Sequence, residues 1–314
     1  MNIDDAIAHY LDALHVRNFA HRTIINRAHQ LRWLKRFCEQ RQPCITEIEV
    51  IGPDVLVEFQ SWFYHEPTIN GTARSVGNQN NVTSGVRDLF THLKRAGFIV
   101  NDPGSALVYA RKQRTLPRDV LTTKEAKRIL EVVDTGTTTG YRDRTMLEVF
   151  YATGIRKQEL LNLRIQDVNL EEELMRIEKG KGGHDRMVPL SRVACSFLET
   201  YLKAIRPEMI QSGRSRKITD RLFLSFTGKP LDRNTLSDLI KEYASKAKVK
   251  KHITCHSWRH TCATHLLKNR ANLRHVQAIL GHRSLATTER YLHLTITDLK
   301  EAHRKYHPRE KGND

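Results

Sequence analysis

Apolar residues recur at intervals of three and four positions along the first hundred residues of the chain. The three clearest sets are Ile3, Ile7, Tyr10, Leu11 and Leu14; Ala28, Leu31, Leu34 and Phe37; and Val82, Val86, Leu89, Phe90 and Leu93. This spacing places each set along one face of a helix, where it can be buried. Basic residues lie between the apolar positions, namely Arg27, Arg32, Arg87, Lys94 and Arg95. The pattern predicts a helical N-terminal region with apolar inner faces.

Turn-forming and basic residues then interrupt the pattern. Asn101-Asp102-Pro103-Gly104 is typical of a turn, and residues 111–118 are basic and contain a proline. The sequence Thr122-Thr123-Lys124-Glu125 has the form of a capping box ahead of a new apolar helical pattern. The predicted segments are an N-terminal helical domain over 1–107, a basic linker over 108–120 and a second domain over 121–314.

One segment of the second domain departs from helical periodicity. Leu174–Ile177 and Arg186–Leu190 are short runs that predict two β-strands, and the glycine-rich stretch 180–185 between them predicts a turn. The rest of this domain is typical of helix. We therefore expect a mainly α-helical protein of two domains, with a small antiparallel β-sheet in the second.

The charge of the chain bears on its partner. Its 314 residues include 52 lysines and arginines against 35 aspartates and glutamates, a formal net charge of +17. This excess favours a polyanionic partner, of which nucleic acid is the first candidate and an anionic membrane surface the second. One basic residue on a helix is most simply a solvated position, but several basic helices in one chain favour a DNA-facing surface.

Membrane insertion, secretion and disulfide bonding are not expected. The sequence has no apolar run of about 18 residues, and its acidic start, Met1–Asp5, lacks the regions of a secretory signal. The cysteines are odd in number and scattered, and we interpret them as reduced thiols of a cytoplasmic protein. They are Cys38, Cys44, Cys195, Cys255 and Cys262.

Candidate chemistry is concentrated near the C-terminus. His256 and Arg259 are three residues apart, so they share a face if this stretch is helical. His282 follows a glycine, and Tyr291 lies nine positions beyond it. Arginine and histidine side chains can hold a phosphate, and a tyrosine hydroxyl can act as a nucleophile.

A further arginine lies upstream of these residues. Gly154 can end one helix in the left-handed conformation, which places Arg156 near the start of the next helix. Helix N-termini favour anions, and a guanidinium can bind a phosphate through two parallel hydrogen bonds. Glu159 lies three residues further on, on the same side of the helix.

These segments, in this order, resemble the tyrosine recombinase (phage integrase) family, with its Xer-like site-specific recombinases. The matching motifs are Thr-Gly-Ile-Arg-x-x-Glu-Leu around Arg156, Gly-Lys-Gly around Lys181, His-x-x-Arg at His256, and Leu-Gly-His with Thr-Thr-x-x-Tyr from His282 to Tyr291. The resemblance is specific over residues 151–292 and weaker over residues 1–120.

The resemblance implies a catalytic role for six residues. Tyr291 is the implied nucleophile, and Arg156, His256, Arg259 and His282 are the implied contacts of the scissile phosphate.

The sixth implied catalytic residue is Lys181, which would protonate the leaving 5′-oxygen. This step needs an acid because an alkoxide is a poor leaving group at neutral pH. Lys179 is a close competitor for the assignment. Glu159 is implied to support the site in a structural role.

For the whole chain, the resemblance implies a two-domain clamp on DNA, with residues 1–107 as a core-binding domain. The family cuts one strand, forms a 3′-phosphotyrosine, releases a 5′-hydroxyl and needs no cofactor. Its strand exchange uses a homotetramer on two DNA sites. The tail from Leu292 to His307 is expected either to dock on a neighbouring protomer or to fold back on its own domain.

Two other functions stay open. A type IB topoisomerase uses similar residues, but the hairpin followed by the two later motifs resembles the recombinases more closely. A DNA-binding protein without activity would keep the charge and would not need the tyrosine. The DNA target and the element served, whether phage, transposon, integron or chromosome-dimer resolution, are not indicated by the sequence.

A zinc site is a further alternative, because Cys255, His256, His260, Cys262 and His265 lie close in sequence. A helix turns by about 100° per residue, so His256 and His265 would point to opposite sides. We therefore expect neither a metal ion nor a cofactor.

Overall fold

The computed structural model describes residues 1–68, 70–111, 119–178, 185–213 and 219–281. The chain divides into two compact units, Met1–Arg114 and Thr115–Asp314, and each has its own hydrophobic core. The division falls inside the stretch predicted to be a linker. Its first part is bonded to the first unit, because Val108 donates its N–H to Gln60 at 3.2 Å and Ala110 donates to Asn80 at 2.8 Å.

Four α-helices build the part of the first unit that the structure describes. They are α1 (Ile3–Val16), α2 (His21–Gln40), α3 (Pro53–His65) and α4 (Val76–Arg95), with short 3-10 turns at Ile48–Val50 and Pro103–Ala106. The three apolar sets found in the sequence lie on α1, α2 and α4, so these three helices are confirmed. Most members of each set are buried, because the periodic face of each helix is the one that packs on its neighbours.

An aromatic cluster between α2 and α3 fills part of the core of the first unit. Phe37 and Phe59 meet edge to face with ring centroids 5.6 Å apart, and Trp33 meets Phe63 in the same way at 5.4 Å. The guanidinium of Arg74 lies over the Trp33 ring, 4.0 Å from its centroid. Such contacts add to the free energy of burying the rings.

The second unit contains eight α-helices and three strands among the residues that the structure describes. They are α5 (Thr123–Glu131), α6 (Thr138–Thr153), α7 (Lys157–Asn162), β1 (Val168–Asn169), β2 (Leu174–Ile177), β3 (Arg186–Pro189), α8 (Arg192–Thr200), α9 (Arg206–Ser212), α10 (Arg233–Lys246), α11 (Cys255–Lys268) and α12 (Leu273–Leu280). A 3-10 turn spans Ile165–Asp167, and a π-helical turn spans Tyr201–Ile205. The mainly helical architecture is as predicted.

The start of α5 is also as predicted. The hydroxyl of Thr122 accepts the N–H of Glu125 at 3.2 Å, and the Glu125 carboxylate accepts the N–H of Thr122 at 2.7 Å. This reciprocal capping satisfies two backbone donors that a helix start would otherwise leave unpaired.

The sheet is antiparallel, in the order β1-β2-β3. The pair β2 and β3 is the predicted hairpin, and Ile177 pairs with Arg186 across it. The two-residue strand β1 was not predicted, because two residues carry no readable alternation. Residues 179–184, between β2 and β3, lie outside the described residues.

Helix α6 lies at the centre of the second unit, packed between α8 and α11. Helix α6 buries its own side chains on most sides, and these include Val149 and Phe150. In the described part of the chain, no helix is long and apolar enough to cross a membrane. The end of α6 and the start of α11 bring the candidate site together.

Candidate active site

A left-handed glycine positions Arg156. Helix α6 ends at Gly154, which has φ +57°, and Ile155 is then fully buried. A Cβ at position 154 would lie 2.7 Å from the Leu280 side chain, so both the backbone conformation and the space favour glycine. Arg156 follows as the N-cap of α7, close to where the sequence placed it.

Arg156 is held from two sides and is still open to solvent. Its guanidinium donates to Glu159 Oε1 at 2.8 Å and to the carbonyl oxygen of Gly281 at 3.1 Å. Its backbone N–H donates to Glu159 Oε2 at 2.8 Å. The side chain is 44% exposed, so part of the guanidinium can still meet a ligand.

Arg259, in contrast, is buried. It lies on α11 and is only 2% exposed. It donates to the carbonyl oxygens of Gly154 and Leu280, each at 2.7 Å. These two oxygens are at the ends of α6 and α12, where helix carbonyls lack intrahelical partners. Arg259 therefore ties both helix ends to α11.

His256 lies one helical turn before Arg259, at the start of α11. Its ring meets that of His260 edge to face, with centroids 4.8 Å apart. Desolvation, and then the positive charges of Arg259 and Arg156, lower the pKa of His256 below its usual 6.5. The imidazole is therefore neutral at pH 7 and can accept a proton or a hydrogen bond.

These three side chains share one open pocket. Arg156, His256 and Arg259 line it together with Lys157 and Ser237. Lys157 donates from Nζ to the Ser237 hydroxyl. Three cationic side chains and a neutral histidine around one pocket suit an anion such as a phosphate. Sequence reasoning missed Lys157 and Ser237, since neither belongs to a motif that signals chemistry.

Glu159 holds the Arg156 guanidinium in place through an ion pair. Its carboxylate is 11% exposed and pairs with Arg156 and with Arg186, each at 2.8 Å. Burial opposes its ionisation, but the hydrogen bonds from Arg186 and Arg156 outweigh burial and hold the pKa of Glu159 at about 2. The carboxylate is therefore charged at any physiological pH.

Arg186 is a third residue that sequence reasoning missed. It was identified only as the first residue of a strand. The signal that could have found it is its spacing from Val188. Residues two apart on a strand share a face, and Val188 is fully buried, so Arg186 lies on the buried face. A charged residue on the buried face of a strand needs a charged partner, and here that partner is Glu159.

The structure therefore brings together three of the six candidate catalytic residues, Arg156, His256 and Arg259. The other three, Lys181, His282 and Tyr291, lie outside the described residues, as do the competitor Lys179 and the tail.

The residues weighed as a zinc site are divided between different surroundings. His256 lines the open pocket, whereas His265 bonds the Tyr151 hydroxyl and the Leu121 carbonyl oxygen, each at 2.9 Å. Cys262 is buried, and its Sγ lies 3.8 Å from the carbonyl oxygen of Ala152. Over the described ranges, the histidine, cysteine and carboxylate side chains form no cluster of three or more that could hold a metal ion.

Comparison with known proteins points to one family. The model of the phage integrase family matches residues 119–297. The tyrosine recombinase XerD of Staphylococcus aureus is 39% identical over 226 residues, which cover 72% of this chain and 75% of that protein. XerD of Staphylococcus saprophyticus is 38% identical over the same shares.

Solved structures agree with this result. The XerH recombinase bound to difH substrate in a pre-cleavage complex has a TM-score of 0.71 and 26% identity, covering 91% of this chain and 80% of XerH. A lambda integrase dimer bound to a COC′ core site has a TM-score of 0.71 at 18% identity, covering 93% and 95%, which indicates a shared fold. The chain belongs to the phage integrase family and is a tyrosine-type site-specific recombinase.

Proposed function

We propose that this recombinase cuts and rejoins DNA through a 3′-phosphotyrosine formed on Tyr291. The observation that carries the proposal is the convergence of Arg156, His256 and Arg259, from distant parts of the sequence, on one basic pocket. A scissile phosphate in this pocket would meet an exposed guanidinium and a buried one. Hydrogen-bond donors fixed around developing phosphoryl charge stabilise the transition state.

The proposed first step exchanges one phosphodiester for another. The Tyr291 oxygen attacks phosphorus, and the bond from phosphorus to the 5′-oxygen breaks. The phenol loses its proton to a base, for which His256 is a candidate because its lowered pKa keeps the imidazole unprotonated. The leaving oxygen receives a proton from Lys181, or from Lys179 if the assignment shifts by two positions. His282 completes the set of phosphate contacts.

The second step reverses the first with a different DNA end. A 5′-hydroxyl from the partner strand attacks the phosphotyrosine and releases Tyr291. The covalent phosphotyrosine conserves the energy of the broken phosphodiester bond, so the proposed cycle needs no nucleotide cofactor. We also expect cleavage to continue in EDTA, because arginines and a lysine supply the charge and the proton that a metal ion would otherwise supply. Cleavage that stops on chelation and returns with zinc would contradict this.

Double-stranded DNA is the proposed partner. The net charge of +17 supports it, and so does XerH, which is bound to difH substrate before and after cleavage. Exchange between two duplexes breaks four strands, so one active site per strand requires four protomers. We propose a homotetramer on two sites, with residues 1–107 as a core-binding domain and the C-terminal tail docked on a neighbour.

We further propose that the protein acts in the cytoplasm, associated with the nucleoid. All five cysteines are free thiols, as expected in a reducing compartment. Cys38, Cys255 and Cys262 are buried, which protects them further.

Trapping the covalent intermediate tests the proposed function. A DNA duplex with a nick near the cut site loses its short 5′-hydroxyl fragment after cleavage, so the adduct cannot reverse. We expect the wild-type protein to form a denaturation-resistant adduct and Tyr291→Phe to form none while binding DNA normally. Tyr151→Phe is the matched control, because Tyr151 bonds His265 away from the pocket. An adduct with Tyr291→Phe would remove Tyr291 from the mechanism.

A further inference from the structure

Arg186, the first residue of β3, bonds two other segments of the chain through three of its donors. Two of its nitrogens donate to the two carboxylate oxygens of Glu159, at 3.1 and 2.8 Å. Its Nε donates to the carbonyl oxygen of Ile279, in the last turn of α12, at 3.0 Å. The side chain is 11% exposed. A planar guanidinium can make this fork and a third bond at once, which a lysine cannot.

Each segment that meets at Arg186 is next to a proposed catalytic residue in the sequence or in space. Glu159 fixes Arg156 through a 2.8 Å hydrogen bond. The last turn of α12 leads through Gly281 directly into His282. The strand β3 itself follows, in the sequence, the stretch 179–184 that contains Lys181.

The end of α12 also packs directly on the guanidinium. Gly281 caps α12 with φ +63°, and a Cβ at this position would lie 2.9 Å from Nε and 3.0 Å from Cζ of Arg186. A larger residue at 281 would therefore displace Arg186 or the helix end. The carbonyl oxygen of Gly281 in turn accepts a hydrogen bond from Arg156. Arg186, Glu159, Arg156 and the end of α12 thus form a closed ring of contacts.

We propose that Arg186 is a positioning residue, which aligns the Arg156 guanidinium with the end of α12 so that both meet the scissile phosphate in one geometry. This inference rests on the proposed function, because it takes Arg156 and His282 to contact that phosphate. Arg186 itself touches no substrate in this account. It acts through Glu159 and through the backbone of Ile279.

The charge on Glu159 provides a readout that a purely structural role would not change. Among the described residues, the charged groups that lower the pKa of Glu159 are Arg186 on β3 and Arg156 on its own helix. With Arg186 neutralised, burial is opposed by Arg156 alone, so the carboxyl titrates at a higher pH. Protonation would then release Arg156. Cleavage by Arg186→Gln should therefore fall towards mildly acidic pH more steeply than cleavage by the wild-type protein.

The test compares full-length variants on the nicked DNA duplex. Arg186→Gln should lower the single-turnover cleavage rate roughly 100-fold, since a small misplacement of a reacting geometry has an effect of this size. DNA affinity should change by less than about threefold, because the contact acts on the cleavage geometry and not on the bound phosphates. Arg186→Lys keeps the charge and loses the fork, so it should restore the pH profile but only part of the rate.

Arg144→Gln is the matched control. It breaks an ion pair with Glu148 at 2.8 Å in the same unit, similarly shielded from solvent and away from the pocket. This variant should cleave like the wild-type protein even if its stability falls. If Arg186→Gln cleaves within about threefold of Arg144→Gln at every pH, the positioning role is refuted.

Hydrogen exchange separates this inference from the proposed function. Arg186→Gln should exchange faster than the wild-type protein both in residues 157–162 and in residues 273–281, whereas Arg144→Gln should change neither. Loosening of only one segment would refute the coupling, whatever the activity. A wild-type protein that forms no covalent adduct would refute the proposed function, and the exchange pattern would still decide whether Arg186 couples the two segments.

Discussion

The two units of this protein differ in where they place polar side chains. Among the described residues, the first unit buries one polar side chain, that of Thr83. The second unit buries ten, and these are Arg142, Asp143, Thr145, Glu148, Thr153, Asp167, Arg206, Ser257, Arg259 and Thr261. A buried polar group destabilises the fold unless it is hydrogen-bonded. The second unit is therefore held together by specific pairings in a way that the first is not.

This difference is related to what each unit has to do. Among its described residues, the first unit fully buries no charged side chain around its apolar and aromatic core, an arrangement that tolerates substitution of single charges. The second unit uses buried hydrogen bonds to fix backbone segments, as Arg259 does for the ends of α6 and α12. Fixed segments are what a phosphoryl-transfer site requires. The predictions below test this contrast, from the largest expected effect to the smallest.

Substitutions of the two arginines of the pocket, Arg259 and Arg156, should differ in their effect on stability but not in their effect on cleavage. Arg259→Ala leaves two buried carbonyl oxygens without their donor, so we expect a loss of roughly 2–5 kcal/mol in the free energy of unfolding. Arg156→Ala removes a side chain that is 44% exposed, and a loss below about 1 kcal/mol is expected. Both should lower single-turnover cleavage by at least about 100-fold, because each removes a proposed hydrogen-bond donor to the scissile phosphate.

Pulse proteolysis in urea measures the stability, and adduct formation measures the cleavage. Equal losses of stability in the two variants would contradict the difference between a buried and an exposed arginine. Normal cleavage by either variant would remove that residue from the site.

Two ion pairs outside the site, one buried and one exposed, test the same difference in stability between the two units. Asp143 pairs with Arg142, both about 5% exposed, and also accepts the Tyr243 hydroxyl. Asp143→Ala should destabilise the second unit by roughly 3–5 kcal/mol, because it leaves Arg142 charged and buried.

The matched change in the first unit is Asp88→Ala, which breaks the pair with Arg27. Asp88 is 46% exposed, and the expected loss is below about 1 kcal/mol. Pulse proteolysis of each full-length variant in urea gives the unfolding midpoint of each unit from the fragments that survive. The shift of the second unit in Asp143→Ala is then compared with the shift of the first unit in Asp88→Ala. Similar losses would show that the first unit depends on its ion pairs as much as the second does.

The stability contributed by Glu159 should depend on pH. Its pKa is about 2 in the folded protein against an ordinary 4.5, so its stabilisation is fully present above pH 4.5 and is lost as the pH falls towards 2. The stability difference between the wild-type protein and Glu159→Gln should therefore be constant above pH 4.5 and shrink below it. The shift sets an upper bound of about 3 kcal/mol on the change. A difference that is independent of pH would contradict the charged pairing.

Surface charge in the first unit should affect DNA binding and not folding. Arg32 is exposed on α2, and Arg32→Gln should change the free energy of unfolding by no more than about 0.5 kcal/mol. If Arg32 contacts a phosphate, the slope of log K against log salt should become less steep by about 0.9. Binding isotherms over a salt series measure the slope. An unchanged slope would exclude Arg32 from the DNA contact, and binding that is independent of salt would contradict a basic DNA-binding surface.

Local patterns in the sequence predicted the fold class and several of its elements. The apolar periodicity predicted α1, α2 and α4, the capping residues located α5, and Gly154 marked the break before Arg156. These features could be predicted because each depends on residues within one or two helical turns.

Long-range contacts could not be predicted in this way. The sequence identified Arg156, Glu159, His256 and Arg259 as candidates, but it could not show that Arg259 bonds the ends of two helices. Arg186 was missed for the same reason, since its partners lie 27 and 93 positions away. The number and spacing of charged residues do not reveal which of them are buried together.

The central claim is that Arg156 and Arg259 neutralise the charge of one scissile phosphate. The most direct test measures cleavage by the wild-type protein, Arg156→Ala and Arg259→Ala on two DNA substrates that differ in one non-bridging group on the scissile phosphorus. One has the natural phosphodiester at the cut site, and the other has a neutral methylphosphonate. The account predicts that both variants are defective on the phosphodiester, by at least about 100-fold, and recover most of this loss on the neutral substrate. Equal defects on the two substrates would show that these arginines do not act on the phosphate charge.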